Sequence, residues 1–263
     1  MSDTVLVEID NGLATLLLNR PKALNALNLE MAIRMAEVCE AVEEDASVRC
    51  VLIKGAGGHF LAGGDVPTFK TGIDNDDNSV VDQILTNVHI AIESIRRMQK
   101  PVVASAEGAV AGFGMSLLVA CDLAIATNDS KYTLAYSLLG ANPDGGSTYH
   151  LPRMVGLKRA MELCLLSDRF GAQEALDIGI INQLVAPDEL QAATEKLCSR
   201  LVAGPRHAYS RIKQLLNQSF SNNLTEQLQA EYAAFMEGVQ TQEFAEGVTA
   251  FCEKRKPDFL KNE

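Results

Sequence analysis

A glycine-rich stretch in the middle of the chain carries the residues best suited to chemistry. Gly112-Phe113-Gly114 leads into an uncharged apolar segment, for which we predict a buried helix from about Met115. The first amides of a helix have no partner within it and lie at the positive end of its dipole. Because glycine lets the backbone approach a ligand closely, this turn can hold a developing oxyanion. The alternative is a buried helix with a glycine-rich entry turn and no further role.

A second glycine-rich turn, Ala62-Gly63-Gly64, also lies between a predicted strand and a predicted helix. Two amides that converge from separate turns can stabilise the enolate oxygen formed when the carbon beside a carbonyl group loses a proton. The alternative is a simple tight turn. Signatures of other chemistries are missing: the sequence has no Gly-x-Ser-x-Gly elbow, no Walker motif and no metal-ligand spacing among its four histidines.

Strands and helices that alternate up to about residue 186 must position these turns. A hairpin around Asn11-Gly12 opens the chain. Hydrophobic periodicity predicts helices over 29–44, 80–98, 158–166 and 173–177, and strands over 48–54, 102–106, 123–126, 131–134 and 179–185. This order indicates stacked β-β-α units. After Pro187 only helices are predicted, over 190–202, 206–216, 224–236 and 243–255.

The composition is that of a globular protein, with 47% hydrophobic residues and a formal net charge of −11. This charge argues against binding of nucleic acid, RNA included, because phosphates need cations along the protein surface. The six cysteines are scattered, and we expect them to be reduced. No targeting peptide is visible, and the longest uncharged apolar run, 109–121, is too short to span a bilayer. We therefore expect a cytoplasmic protein with no membrane partner.

Four segments together resemble the enoyl-CoA hydratase/isomerase (crotonase) superfamily: 19–27, 60–66, 102–122 and 247–256. The likeness covers nearly the whole chain. It implies an α/β fold of the ClpP/crotonase-like type, a spiral of β-β-α units with a C-terminal helical region that trimerises. On this basis we expect a spiral core over residues 1–200, a helical region over 201–263, and a homotrimer or a dimer of trimers.

The resemblance also implies an acyl-CoA thioester whose carbonyl oxygen is held by two backbone amides, which by position are those of Ala62 and Phe113. No metal and no separate cofactor are expected, because coenzyme A is part of the substrate. Further substrate-binding residues implied by position are Gly63, Gly64, Asp65, Val66, Gly114 and Tyr136 in the pocket, Lys22, Ala23 and Leu24 facing the CoA moiety, and Phe251 and Lys254 near CoA, either of the same or of a neighbouring subunit. The alternative for 254–256 is a solvated helix end.

The two acids that hydratases of this family use are missing. The resemblance places them at Ser116 and Tyr136, and neither side chain acts as a general base at neutral pH without a strong activator. Hydration is therefore disfavoured. Asp144, in Pro143-Asp144-Gly145-Gly146 before Leu151-Pro152-Arg153, stands where isomerases resembling the ring-opened phenylacetyl-CoA enzymes place their carboxylate. We predict that Asp144 takes a proton from C2 or C4 and returns it at the other end of a dienolate, and that burial raises its pKa. Without the family context, Asp144 is more typical of a turn.

His89 favours a second enzyme hypothesis. In 4-chlorobenzoyl-CoA dehalogenases a histidine is similarly placed, with a nucleophilic aspartate at the position of Asp144. Three functions therefore remain open: the isomerase, which we predict; a dehalogenase in which Asp144 attacks the ring and His89 activates water; and a non-catalytic acyl-CoA-binding protein without hydratase activity. In the isomerase His89 is an auxiliary acid or base, and the alternative is a structural histidine on a helix face.

Overall fold

The computed structural model describes residues 3–261, and its strands form two sheets. The strands are β1 (Val5–Asp10), β2 (Leu13–Leu18), β3 (Cys50–Gly55), β4 (Leu61–Ala62), β5 (Val102–Ala106), β6 (Ala109–Ala111), β7 (Leu123–Thr127), β8 (Lys131–Thr133), β9 (Phe170–Gly171) and β10 (Gln183–Val185). One sheet has the order β1-β2-β3-β5-β7-β10, and the other has the order β4-β6-β8-β9. The pairs β1–β2 and β8–β9 are antiparallel, and the remaining pairs are parallel.

The helices cover the faces of these sheets and form the end of the chain. They are α1 (Leu29–Glu44), α2 (Val66–Asp74), α3 (Ser79–Arg97), α4 (Phe113–Ala120), α5 (Ser147–Val155), α6 (Leu157–Leu166), α7 (Ala172–Asp177), α8 (Leu190–Val202), α9 (Arg206–Gln218), α10 (Leu224–Val239) and α11 (Gln242–Cys252). Among the described residues, none of these helices is long and apolar enough to cross a membrane.

Successive strands divide between the two sheets in a regular way. β3, β5 and β7 lie in the larger sheet, and the strands that follow each of them, β4, β6 and β8, lie in the smaller one. This arrangement confirms the predicted α/β fold of β-β-α units. Because β4 and β6 are parallel neighbours, their carboxyl ends meet at one edge of the smaller sheet. The two glycine-rich turns follow these ends directly.

The core is built from strands that are covered on both faces and from amphipathic helices. All five residues of β5 are buried, as expected for a central parallel strand. α1 begins after Asn28, whose side chain accepts a hydrogen bond from the Met31 amide and so satisfies a free helix donor. Its buried face recurs every three or four residues, through Met35, Val38 and Val42, and packs against α3.

Some elements escaped sequence-based prediction for physical reasons. β4 and β6 have two and three residues, too few for an alternation to be visible. α2 contains Gly72 and α5 contains Pro152, and both residue types disfavour a helix interior. α4 begins at Phe113, two residues before the predicted start. The helix therefore opens directly after Gly112, and the amide of Phe113 is its first.

The C-terminal helices are less integrated into the core than the rest of the chain. In the described structure α8 packs on the larger sheet, whereas the only residue buried within α9–α11 is Ala250. α9 is attached through Lys213, whose Nζ lies 2.7 Å from Oδ2 of Asp122. All-helical structure after Pro187 is confirmed, and the boundary at residue 200 stays a prediction.

Candidate active site

The two glycine-rich turns lie side by side. Leu61 pairs with Val110 and Ala62 with Ala111, so Gly63 and Gly112 come next on the two strands. A Cβ atom built on Gly112 would lie 3.2 Å from the Cα atom of Gly63. Both glycines have positive φ angles, +89° for Gly63 and +49° for Gly112, which other residues rarely adopt. The close approach and the backbone conformation therefore both require glycine here.

The predicted role of Ala62 as an oxyanion donor is wrong in this arrangement. Its amide already donates to the carbonyl oxygen of Leu24 at 3.1 Å. The free amide of this turn belongs to Gly64. Both of its neighbours bond to Leu27: the Gly63 carbonyl oxygen accepts from the Leu27 amide, and the Asp65 amide donates to the Leu27 carbonyl oxygen. These bonds leave the Gly64 amide facing away from Leu27.

Gly64 and Phe113 together have the properties of an oxyanion hole. Within residues 3–261 neither amide donates to a protein acceptor. The two residues occupy equivalent positions after β4 and β6, and Phe113 is also the first residue of α4, at the positive end of the helix dipole. Gly114 brings the helix close to the other turn, since a Cβ atom there would lie 2.1 Å from the Leu61 carbonyl oxygen.

Asp144 lies in the loop before α5, and this loop packs against the first turn of α4. The next residue, Gly145, is so close to the helix that an added Cβ would lie 2.9 Å from a ring carbon of Phe113 and from Cβ of Ser116. The Ser116 hydroxyl donates to the Asp144 backbone carbonyl at 2.8 Å. The Tyr136 hydroxyl donates to Oδ1 of Asp144 at 2.5 Å. The structure therefore brings Ser116, Tyr136 and Asp144 into one cluster next to Phe113.

The surroundings of Asp144 favour its protonated form. Burial raises the pKa of its carboxyl above the ordinary value of an aspartate, while the hydrogen bond from Tyr136 and the charge of His89 oppose that rise. Burial, together with the nearby carboxylate, raises the pKa of Tyr136, so its hydroxyl remains a donor. A carboxyl group with a raised pKa is suited to accept and return a proton near neutral pH.

His89 lies on α3 near this cluster but is not part of its hydrogen-bond network. The residue is exposed, and it acts on Asp144 only through its charge. The structure places it on the solvent side of α3. It makes no hydrogen bond to Asp144 in the described chain.

The loop of Lys22, Ala23 and Leu24 borders the second glycine-rich turn. Leu24 is 43% exposed and has a left-handed φ of 50°, and its carbonyl accepts the Ala62 amide. Asn25, which our reading of the sequence did not single out, is buried, and its Nδ2 donates to the carbonyl oxygens of Ala56 and His59 at 2.9 and 2.7 Å. A buried Asn with a positive φ fixes this loop against the turn after β3.

Asp65 is the N-cap of α2 and is half-buried, whereas Val66, the first residue of the helix, is exposed. Oδ2 of Asp65 lies 2.8 Å from Nη2 of Arg20, so the Asp65 carboxylate ties the 19–27 loop to the turn. Phe69, which was not predicted as a site residue, lies against Gly64, since a Cβ on that glycine would lie 2.6 Å from its ring. No sequence signal marks Phe69, because it belongs to a helix without a buried face.

Phe251 and Lys254 lie at the C-terminal helices and are not part of the hydrogen-bonded cluster of Asp144. Phe251 is 85% exposed and lies at an apolar groove of about 690 Å³ between α9, α10 and α11, while the exposed Lys254 follows the helix in a left-handed conformation. None of the other predicted site residues lines this groove. Over the described ranges, no group of three His, Cys, Asp or Glu side chains is arranged to hold a metal ion.

Comparison with known proteins identifies relatives over the full length. Residues 8–262 match the family described as enoyl-CoA hydratase/isomerase. The chain is 35% identical to 1,2-epoxyphenylacetyl-CoA isomerase of Escherichia coli, over 98% of this chain and 99% of that protein. It is 32% identical to trans-2-decenoyl-(acyl-carrier-protein) isomerase of Streptococcus mutans, over 97% of each chain. A crystal structure of an enoyl-CoA hydratase from a Polaromonas species superimposes with a TM-score of 0.91 at 32% identity, over 97% of this chain and 98% of that chain.

Proposed function

Because the chain belongs to the enoyl-CoA hydratase/isomerase family, we propose that it is an acyl-CoA isomerase that moves a carbon–carbon double bond. The observation that carries this proposal is the half-buried carboxyl group of Asp144 next to the helix that begins at Phe113, with hydroxyl groups at both positions where the resemblance puts hydratase acids. The substrate is a thioester of coenzyme A. Because the coenzyme is part of the substrate, the reaction needs no separate cofactor.

In the proposed reaction the thioester oxygen accepts hydrogen bonds from the amides of Gly64 and Phe113. Asp144 takes a proton from the substrate carbon at one end of the allylic system, and the electrons of the C–H bond pass into a dienolate whose charge lies on that oxygen. Fixed amides stabilise this charge without reorganising. Asp144 then gives the proton to the carbon at the other end, which places the double bond one position along.

Hydration is disfavoured by the hydrogen bonds of Ser116 and Tyr136. Each hydroxyl has one proton, and each donates it to Asp144. Neither side chain is therefore a base for a water molecule. The dehalogenase alternative is weakened because the exposed His89 makes no hydrogen bond in the described cluster.

For the assembled protein we propose a homotrimer. This is supported by the exposed aromatic and aliphatic side chains of α9–α11, among them Leu224, Tyr232, Phe235 and Phe251, which are between 64% and 85% exposed in the single chain.

The proposed function is tested with a panel of 3-enoyl-, 2-enoyl- and aryl-CoA thioesters in D2O, followed by mass spectrometry. We expect a shift of the double bond between 3-enoyl and 2-enoyl products, with deuterium entering the two exchanging carbons only. Asp144→Asn is expected to abolish turnover while thioester binding, measured by calorimetry, survives. An undiminished rate removes Asp144 from the mechanism, and chloride release from a chlorobenzoyl thioester without isomerisation selects the dehalogenase.

A further inference from the structure

The hydrogen bond from Tyr136 gives the two carboxyl oxygens of Asp144 different surroundings. Oδ1 accepts the tyrosine hydroxyl at 2.5 Å. In the part of the chain that the structure describes, Oδ2 accepts no hydrogen bond from a protein donor. An aspartate normally exchanges its two oxygens by rotation about χ2, which is a soft torsion. At this site rotation breaks a charge-assisted hydrogen bond, and so one orientation is favoured.

The donor is itself fixed in place. The Tyr136 ring packs against the hydrophobic core, and its hydroxyl oxygen lies 3.2 Å from Oγ of Ser116. Ser116 is fully buried and gives its one proton to the Asp144 backbone carbonyl. The backbone and one oxygen of Asp144 are therefore held by two separate hydroxyl groups from two elements, Ser116 on α4 and Tyr136 after β8.

Resting on the proposed isomerase function, we propose that Tyr136 is a positioning residue that occupies Oδ1 and so makes Oδ2 the one oxygen that carries the proton. In the first half-reaction a C–H bond of the substrate breaks, an Oδ2–H bond forms, and the C–H electron pair enters the dienolate. In the second half-reaction the Oδ2–H bond breaks and a C–H bond forms at the other carbon. Tyr136 keeps its own proton throughout.

The other charged groups around Asp144 do not replace this hydrogen bond. His89 on α3 is exposed, and its charge is screened by solvent. His150 lies in α5, and its ring is next to Gly146. Burial, together with the charges of Arg96 and Arg153, lowers the pKa of His150 to about 4, so its ring is neutral at physiological pH. α4 carries no charged residue.

The test compares Tyr136→Phe with Tyr132→Phe. Tyr132 is a matched control because it is also buried and its hydroxyl accepts a hydrogen bond from Ser130 at 2.9 Å, away from Asp144. The first readout is the titration of the Asp144 carboxyl group, which is monitored by carbon-13 NMR in the absence of substrate. The Tyr136 hydroxyl stabilises the charged carboxylate, so loss of this hydrogen bond in Tyr136→Phe should raise the pKa of Asp144 by about one to two pH units. Tyr132→Phe should leave it unchanged.

The second readout is turnover in D2O. In Tyr136→Phe the acidic limb of kcat should move to higher pH, since the base must be deprotonated to act. The fraction of substrate protons returned internally should fall, because the carboxyl is free to rotate and exchange its proton with solvent. Both quantities should be those of the wild type in Tyr132→Phe.

Outcomes for the two proposals are separable. An unchanged Asp144 titration in Tyr136→Phe overturns the positioning role, whatever the activity. A wild-type protein that titrates as expected but isomerises no thioester overturns the proposed function and the transfer role of Oδ2. If Tyr136→Phe does not fold, 3-fluorotyrosine placed at position 136 is the second variant: its more acidic phenol is a stronger donor and should lower the pKa of Asp144.

Discussion

The Ser116 hydroxyl donates to the backbone carbonyl oxygen of Asp144 over 2.8 Å. Ser116 is fully buried in the first turn of α4, one turn from the Phe113 amide. The contact therefore ties the loop of the proposed proton carrier to the helix that supplies half of the proposed oxyanion hole. The position to which the resemblance assigns a hydratase acid has a structural contact in this chain.

Ser116→Glu is expected not to create an efficient hydratase. Glutamate cannot donate to the Asp144 carbonyl, and it adds a second carboxylate in a buried site without the second acid that hydration needs. We expect isomerisation to be lost and the unfolding free energy to fall by about 1–3 kcal/mol. The measurements are crotonyl-CoA hydration and urea unfolding. Ser116→Ala, which loses about 1 kcal/mol but adds no charge, is the control; rapid hydration by the glutamate variant contradicts the prediction.

Gly64→Ala is expected to impair catalysis by crowding the amide of residue 64. The new Cβ would lie 2.6 Å from the Phe69 ring, so either the ring or the turn that carries the residue 64 amide must shift. We predict a fall in kcat/KM of about tenfold, which corresponds to about 1.4 kcal/mol of transition-state stabilisation. Infrared spectra of a bound thioester should show a weaker shift of the carbonyl stretch. The double variant with Phe69→Ala should recover most of the loss; if it behaves additively, Phe69 is not the cause.

Gly114→Ala is expected to destabilise the fold itself. An alanine Cβ would lie 2.1 Å from the Leu61 carbonyl oxygen, which belongs to β4 and cannot move freely. Overpacking of this kind costs about 1–3 kcal/mol, measured as a lower midpoint of urea unfolding. Gly171→Ala is the control, since nothing but the end of a lysine side chain lies within reach of its Cβ, and its stability should change by less than about 0.5 kcal/mol. If both variants lose the same stability, crowding against the Leu61 carbonyl oxygen is not the cause.

Asp144→Asn is expected to stabilise the protein at neutral pH. The folded-state pKa of Asp144 is raised above that of the unfolded chain, so its contribution to stability is fully present below the unfolded pKa and is lost as the pH rises through the folded pKa. Each pKa unit corresponds to about 1.4 kcal/mol. Thermal unfolding at pH 7 should give a higher Tm for the variant, and the difference should close as the pH falls below the ordinary range of an aspartate. If the difference in Tm widens as the pH falls, the pKa of Asp144 is not raised in the folded protein.

Phe251 and Lys254 are expected to bind CoA only in the assembled protein. Light scattering should give a mass three times the 28.4 kDa of the chain, or six times for a dimer of trimers. Lys254→Ala should raise KM for CoA thioesters severalfold with little change in kcat, because it removes a cation that contacts the phosphates and not the reacting atoms. Lys158→Ala, a lysine change outside the predicted site, is the control. A monomer with wild-type activity is incompatible with this arrangement.

The sequence alone determined the fold class and the family. Hydrophobic periods predicted α1, α3 and the C-terminal helices, and the resemblance of four segments identified the family and drew attention to Asp144. These properties are local, because a period or a motif depends only on residues close together in the chain.

Only the tertiary structure decided which groups are free to act. Ala62 lost its predicted role because Leu24, 38 positions earlier, takes up its amide, and Gly64 has the free amide because both of its neighbours bond to Leu27. His89 lies on the solvent side of α3, and Tyr136 points at Oδ1 of Asp144. The availability of the Ala62 and Gly64 amides depends on partners that are distant in sequence, Leu24 and Leu27. Hydrogen-bonding capacity is used up by such partners only when the chain has folded.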